Sequence, residues 1–454
     1  MRHLIRDIMI VNEGVSSEGS LLIDGETIAD ILMASETDYK ERIRRIEAVP
    51  GTETIDGSGA FLIPGIIDDQ VHFREPGATW KADIGTESAA AVLGGVTSYM
   101  DMPNNTPPVC DIHALENKYS AASGRSCANY SFYLGATNSN MGEIMKIDPC
   151  TVCGLKVFMG SSTGDMLVDS DAALGEIFSL SPVPVAVHCE DEETVRENTR
   201  RAIDRWGKDG IPFSAHPAIR SREACMKSTA KALGLALKYG TRLHLLHVST
   251  GDETLLLKEA KASSDKITAE TCVHYMFFDE NDYGKYGPLI KCNPSIKTRA
   301  DREAVTAAVR SGLIDVVATD HAPHLMEEKL RPYLQSPSGM PGIQHSLNIM
   351  LELCSEGKLS LEQVVDRMAH APARCFSIKR RGFLRKGYYA DLAIIRKQDY
   401  TVDSKNIAYK CAWSPLEGHR FGYKVTDTFV NGIPAVRDGI PTGARAGMRL
   451  GFLR

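Results

Sequence analysis

Hydrophobic and polar positions follow one rhythm through the middle of the chain and another at its ends. Between residues 65 and 320 eight short apolar segments recur: GIIDDQVH, TSYMDM, YSFYLGA, GLKVFM, PVAVHCE, RLHLLHV, ITAETCV and IDVVATD. Strands that read as near-continuous apolar runs are buried on both faces, as in a parallel sheet covered by helices. Stretches of helical character separate most of them, among them GTESAAAVLGG, DEETVRENTRRAIDRWG and TRADREAVTAAVRSG. Eight such units predict an α/β fold of the (β/α)₈ TIM-type barrel kind. An open doubly wound sheet is the alternative, but no G-x-G-x-x-G follows the first strand.

At both ends the pattern turns to hairpins. SLLIDGETIADIL and DTFVNGIPAV set Asp24-Gly25 and Asn431-Gly432 between apolar runs, and ADLAIIR adds a further strand. Such dipeptides favour the positive φ of tight turns. Residues 1–58 and 380–454 are therefore expected to form one composite, β-sandwich-like domain built from both termini, with residues 59–379 as the barrel.

Composition narrows the function classes. The 454 residues are 43% hydrophobic and 24% charged, ordinary values for a soluble globular protein. A net charge of −6 offers no basic footprint for nucleic acid or an anionic membrane. Apolar runs such as AFLIPGII are too short to span a bilayer, and MRHLIRDIMI lacks the apolar core and cleavage site of a signal peptide. Eleven scattered cysteines suit a reducing compartment, so a cytoplasmic location is expected. Cys150 and Cys153 form a C-x-x-C with no second pair to complete a zinc site.

In such barrels the reacting groups sit at the C-terminal strand ends. Those ends carry Gln70 and His72, then Asn104, Lys156, His188, His247, His274 and Asp320. A lone strand histidine is usually a hydrogen-bonded core residue. Several candidates registered on one edge point instead to a divalent cation, and zinc suits such nitrogen and oxygen ligands. Alternation places Asp68, Gln70 and His72 on one face of the first strand and Asp69 and Val71 on the other. By the same rule His244 faces away from His247 and is structural, while a bulge would swing Asp69 inward in place of Gln70. Lys156 cannot ligate a cation as an ammonium. Its apolar neighbours lower its pKa, and either a carbamate or an ion pair with Glu190 or Asp320 accounts for it.

These segments resemble the amidohydrolase superfamily, and within it the dihydroorotase branch. PGIIDDQVHFREPG, GGVTSYMDMPNNTPP and TDHAPH match the first, second and eighth strand signatures in order. The resemblance implies interconversion of dihydroorotate and N-carbamoyl-L-aspartate in pyrimidine biosynthesis. It implies a centre of one or two zinc ions held by His72, Lys156, His188, His247 and Asp320, with Lys156 carboxylated and Asp320 moving the proton. It also implies a homodimer, and association with aspartate transcarbamoylase belongs to the same expectation. Gln70 stands where the family has a ligating histidine, which weakens one metal position. Arg74 offers a fork for the substrate carboxylate, against the plain alternative of a surface pair with Glu75. Asn104 and His324 match substrate-binding positions, and Asn293 is expected to contact the ring. The rival readings are a dihydropyrimidinase or allantoinase, and a non-catalytic homologue acting as a structural partner. The glycine-rich GSSTGDML after the fourth strand is the expected mobile loop.

Overall fold

In a computed structural model describing residues 1–160 and 166–454, eight parallel strands enclose the barrel core. In chain order they are Ile66–Val71, Val96–Asp101, Asn129–Phe132 (resumed after Tyr133 by Leu134–Gly135), Leu155–Phe158, Val185–His188, Leu243–Leu245, Ile267–Cys272 and Val316–Ala318. Each pairs in parallel with the next. The cylinder closes where Val71 bridges His321 and the His72 N–H donates to the His321 carbonyl at 2.7 Å. All eight apolar segments of the sequence are barrel strands.

The three helical stretches form as expected because their starts are capped. Helices Ile84–Leu93, Glu192–Trp206 and Arg299–Ser311 begin after Asp83, Asp191 and Thr298. Each cap side chain accepts a backbone N–H three residues on, satisfying a donor that has no intrahelical partner.

Strands from both termini form one continuous nine-stranded sheet, where a sandwich-like domain was expected. Arg2–Asn12 is its hub. It pairs with Val15–Asp24 on one side, with an irregularity between Ile5 and Ile8; on the other it meets Thr52–Asp56 and then Phe61–Leu62. Ala60–Pro64 joins this sheet to Leu392–Thr401, so the sheet runs past the expected boundary at residue 58. At the other end the chain leaves the sheet again. Arg449 bridges Tyr130, and the Arg454 guanidinium donates to the carbonyls of Val152, Cys153 and Phe376 beneath the barrel. Asn431 and Gly432, at φ 51° and 74°, close a two-residue hairpin. At the N-terminal hairpin Asp24 pairs with Thr27, so the turn residues are Gly25 and Glu26. Among the described residues no helix is long and apolar enough to cross a membrane.

Candidate active site

The C-terminal mouth of the barrel holds a cleft of about 290 Å³. Gln70, His72, Arg74, Asn104, Lys156, His188, His247, Asn293, Asp320 and His324, the residues assigned a metal or substrate role from the sequence, line it. Three of them, Arg74, His247 and Asp320, hold φ of 66°, 40° and 46°. Left-handed backbone at non-glycine residues costs ~1–3 kcal/mol each and persists where surrounding structure imposes it, commonly at functional sites.

Asp320 Oδ1 accepts from Gln70 Nε2 at 3.2 Å and lies 3.0 Å from His72 Nε2. The His72 Nδ1 is 2.8 Å from Asn104 Oδ1, an oxygen that only accepts, so Nδ1 donates to it and Nε2 is the nitrogen that faces Asp320. Asn104 is thus engaged in orienting His72. Gln70 Oε1 is buried without a hydrogen bond. Burial opposes the Asp320 charge, but His72, His274 and Lys156 outweigh it and keep the carboxyl below its ordinary value.

Across the cleft His188 Nδ1 and His247 Nε2 stand 2.9 Å apart. Burial lowers both pKa values, leaving neutral imidazoles able to bind a cation. His188 Nε2 is 3.1 Å from Glu190 Oε2, which also accepts from Arg220 Nη1 at 2.5 Å. Burial works against the Glu190 charge, yet Arg220 and His188 bring its pKa down to about 2. Arg220 reaches the cleft from outside the strand ends, and no motif in its neighbourhood distinguishes it in the sequence.

Lys156 is 1% exposed and its Nζ lies 4.6 Å from the Phe158 ring centroid. Burial lowers it to about 8, against the pull of Asp320 and Glu270. The ion pair with Glu190 or Asp320 does not form: no carboxylate among the described residues lies within salt-bridge distance, and Glu190 is taken by Arg220. His274 stands just past the seventh strand in the helical turn Val273–Phe277 and does not line the cleft. Burial lowers it to about 4 and its Nε2 is without a partner.

Arg74 does not pair with Glu75, whose carboxylate is held by Arg125 at 2.7 Å. Its Nε donates to the Pro323 carbonyl at 3.1 Å and its Nη2 lies 3.1 Å from His324 Nε2. Among the described residues no protein group hydrogen-bonds Nη1, and the guanidinium lines the cleft. Asn293 Oδ1 is likewise buried without a partner.

Two placements differ from simple alternation. The register of the first strand slips between Asp68 and Val71, and this turns Asp69 into the barrel. There it faces His244 at 3.0 Å rather than replacing Gln70, and it does not line the cleft. His244 also points inward. The sixth strand ends at Leu245, so alternation does not carry through to His247. Elsewhere Cys150 is exposed and Cys153 buried, and among the described residues neither joins a metal-ligand cluster. The core of the expected mobile loop, residues 161–165, lies outside the described residues.

Neutral imidazoles, a low-pKa carboxylate, an orphaned amide oxygen and a buried unpaired lysine make a donor set that fits a divalent cation. Comparison with known proteins agrees with this chemistry. Residues 61–433 match the amidohydrolase family. A dihydroorotase from Methanothermobacter thermautotrophicus is 31% identical over 394 residues, 86% of this chain and 88% of the relative. An allantoinase from Deinococcus radiodurans is 32% identical over 415 residues, 89% and 91% of the two chains. The solved structure of an L-hydantoinase (dihydropyrimidinase) from Arthrobacter aurescens superposes with a TM-score of 0.90 at 26% identity, covering 99% of each chain.

Proposed function

The chain belongs to the amidohydrolase family, a family of hydrolases, and on that footing we propose that it interconverts (S)-dihydroorotate and N-carbamoyl-L-aspartate. The observation that carries this reading is Arg74. A guanidinium lining the cleft, held by Pro323 and His324 through Nε and Nη2 and with no protein partner on Nη1 among the described residues, asks for an anion there. Dihydroorotate carries a ring carboxylate; allantoin, hydantoin and dihydrouracil are neutral rings and offer this group only carbonyl oxygens, with no charge to pair.

Zinc held by His72, Lys156, His188, His247 and Asp320 would supply a Lewis acid and lower the pKa of an attacking water to ~7. The remaining steps fall to the chain itself. Asp320 takes the proton of the water that attacks the ring carbonyl, then delivers it to the ring nitrogen as the C–N bond opens. In cyclisation the same carboxylate accepts the proton of the carbamoyl nitrogen and returns it to the carboxyl oxygen that leaves as water. Asn104 holds His72 in one tautomer, and Arg74 fixes the substrate carboxylate. Lys156, with a pKa of about 8, is partly neutral near that pH. Its amine adds carbon dioxide and loses a proton, giving a carbamate whose two oxygens replace the missing carboxylate on the fourth strand.

Turnover of dihydroorotate, allantoin, hydantoin and dihydrouracil by the zinc-loaded protein tests the reading. The highest kcat/KM is expected with dihydroorotate; a preference for a neutral ring would overturn it. Absence of turnover with every ring would favour the non-catalytic alternative, whose one support in the sequence is Gln70.

A further inference from the structure

Beneath the cleft, inside the barrel, lies a second group of metal-loving side chains that the proposed reaction does not use. Asp69 of the first strand, His244 of the sixth and Glu270 of the seventh are each at most 1% exposed. One ligand atom from each lies within 4.8 Å of the others. His244 Nε2 stands 3.0 Å from Asp69 Oδ2 and 3.7 Å from Glu270 Oε2. Yet among the described residues both Asp69 oxygens, Glu270 Oε2 and His244 Nε2 lack a well-formed hydrogen bond. Two buried carboxylates, Asp69 with no donor and Glu270 with one on Oε1 alone, are costly unless something positive lies between them.

The other side of the imidazole fixes which nitrogen faces the carboxylates. His244 Nδ1 is 2.8 Å from Thr268 Oγ1, and that hydroxyl donates its own proton to the Leu243 carbonyl at 3.2 Å. Thr268 therefore accepts from Nδ1–H, and Nε2 is the nitrogen that faces the two carboxylates. Burial lowers the His244 pKa, but Asp69 and Glu270 raise it to about 9, so a cation entering here takes the place of the Nε2 proton. Histidines that ligate metals are held in this way by an acceptor on the second ring nitrogen. Tetrahedral coordination with bonds of ~2.0–2.2 Å spaces neighbouring ligand atoms about 3.3–3.6 Å apart, and the two distances at His244 bracket that range.

We propose that Asp69, His244 and Glu270 bind a structural divalent cation of the zinc class, one layer below the cleft and separate from any ion there. The ion ties the first strand to the sixth and seventh across the barrel. It also steadies the cleft, since Glu270 Oε1 accepts the backbone N–H of His247 at 3.1 Å and so holds the strand end that presents this imidazole. The site accounts for the register slip that turns Asp69 inward.

X-ray diffraction at the zinc absorption edge, on crystals of the full chain grown with zinc, tests this directly. The proposal predicts an anomalous peak ~2.0–2.2 Å from Asp69, His244 and Glu270. No peak at that position, with three side chains bonded through shared protons instead, overturns it. In solution Asp69→Asn is expected to lower bound zinc by one ion per chain after exhaustive dialysis; unchanged stoichiometry in the folded variant contradicts the proposal. Both readouts are independent of the substrate. A peak at the trio without dihydroorotate turnover would leave this site standing while the proposed function fell.

Discussion

At the scale of single residues, the cleft turns on Gln70 and Lys156. The Gln70 amide spends its N–H on Asp320 and leaves its oxygen unpartnered, so it offers a neutral, weaker ligand where an imidazole would bind a soft-to-borderline ion better. Gln70→His is expected to tighten zinc at the His72 side of the cleft by an order of magnitude or more, as read by competition with a chromophoric chelator. Unchanged affinity would remove Gln70 from the ligand sphere. Lys156→Met keeps the apolar stem but removes the amine, and it is expected to abolish turnover and release cleft zinc while leaving thermal stability within ~1 kcal/mol, since this buried amine has no ion-pair partner among the described residues. Intact-mass measurement of the native protein under bicarbonate, showing 44 Da added only when Lys156 is present, checks the carbamate.

Elements explain what was legible in the sequence and what was not. The eight apolar runs, three capped helices and the two hairpins follow from local patterning and turn chemistry, and all appear. The strand-end residues were legible because a parallel barrel delivers every strand end to one face, so His72, Lys156, His188, His247 and Asp320 share a cleft. His244 was not, and Asp69 only as the outcome of a bulge and then in the wrong place, because a register slip and an early strand end defeat period-two counting. Arg220 was not, because its role depends on a tertiary contact with Glu190. The hairpins from opposite termini also meet in a way no local signal announces. A Cβ at Gly432, where φ is 74°, would stand 2.0 Å from the Gly25 carbonyl oxygen. Gly432→Ala is therefore expected to destabilise the chain by more than ~1 kcal/mol in urea unfolding. A change within error would mean that the two hairpins yield freely.

For the whole molecule, the cleft's charges set how it responds to acid. Glu190 titrates at about 2 when folded, against an ordinary 4.5. A depressed carboxyl stabilises the fold above its unfolded value and loses that contribution as pH falls from 4.5 through about 2. The metal-free chain should thus lose on the order of 3 kcal/mol over that window through this group. Glu190→Gln should flatten the fall, and an identical slope of urea midpoint against pH would contradict the assignment. The account as a whole rests on the Arg74 guanidinium reading a carboxylate. Calorimetric titration of dihydroorotate and of dihydrouracil, which differs from it only by that carboxylate, into the native chain and Arg74→Gln tests this most directly. The native chain should bind dihydroorotate at least ~10-fold more tightly, and Arg74→Gln should erase the difference, since a charged hydrogen bond contributes ~1.5–3 kcal/mol. A preference that survives the substitution would contradict it.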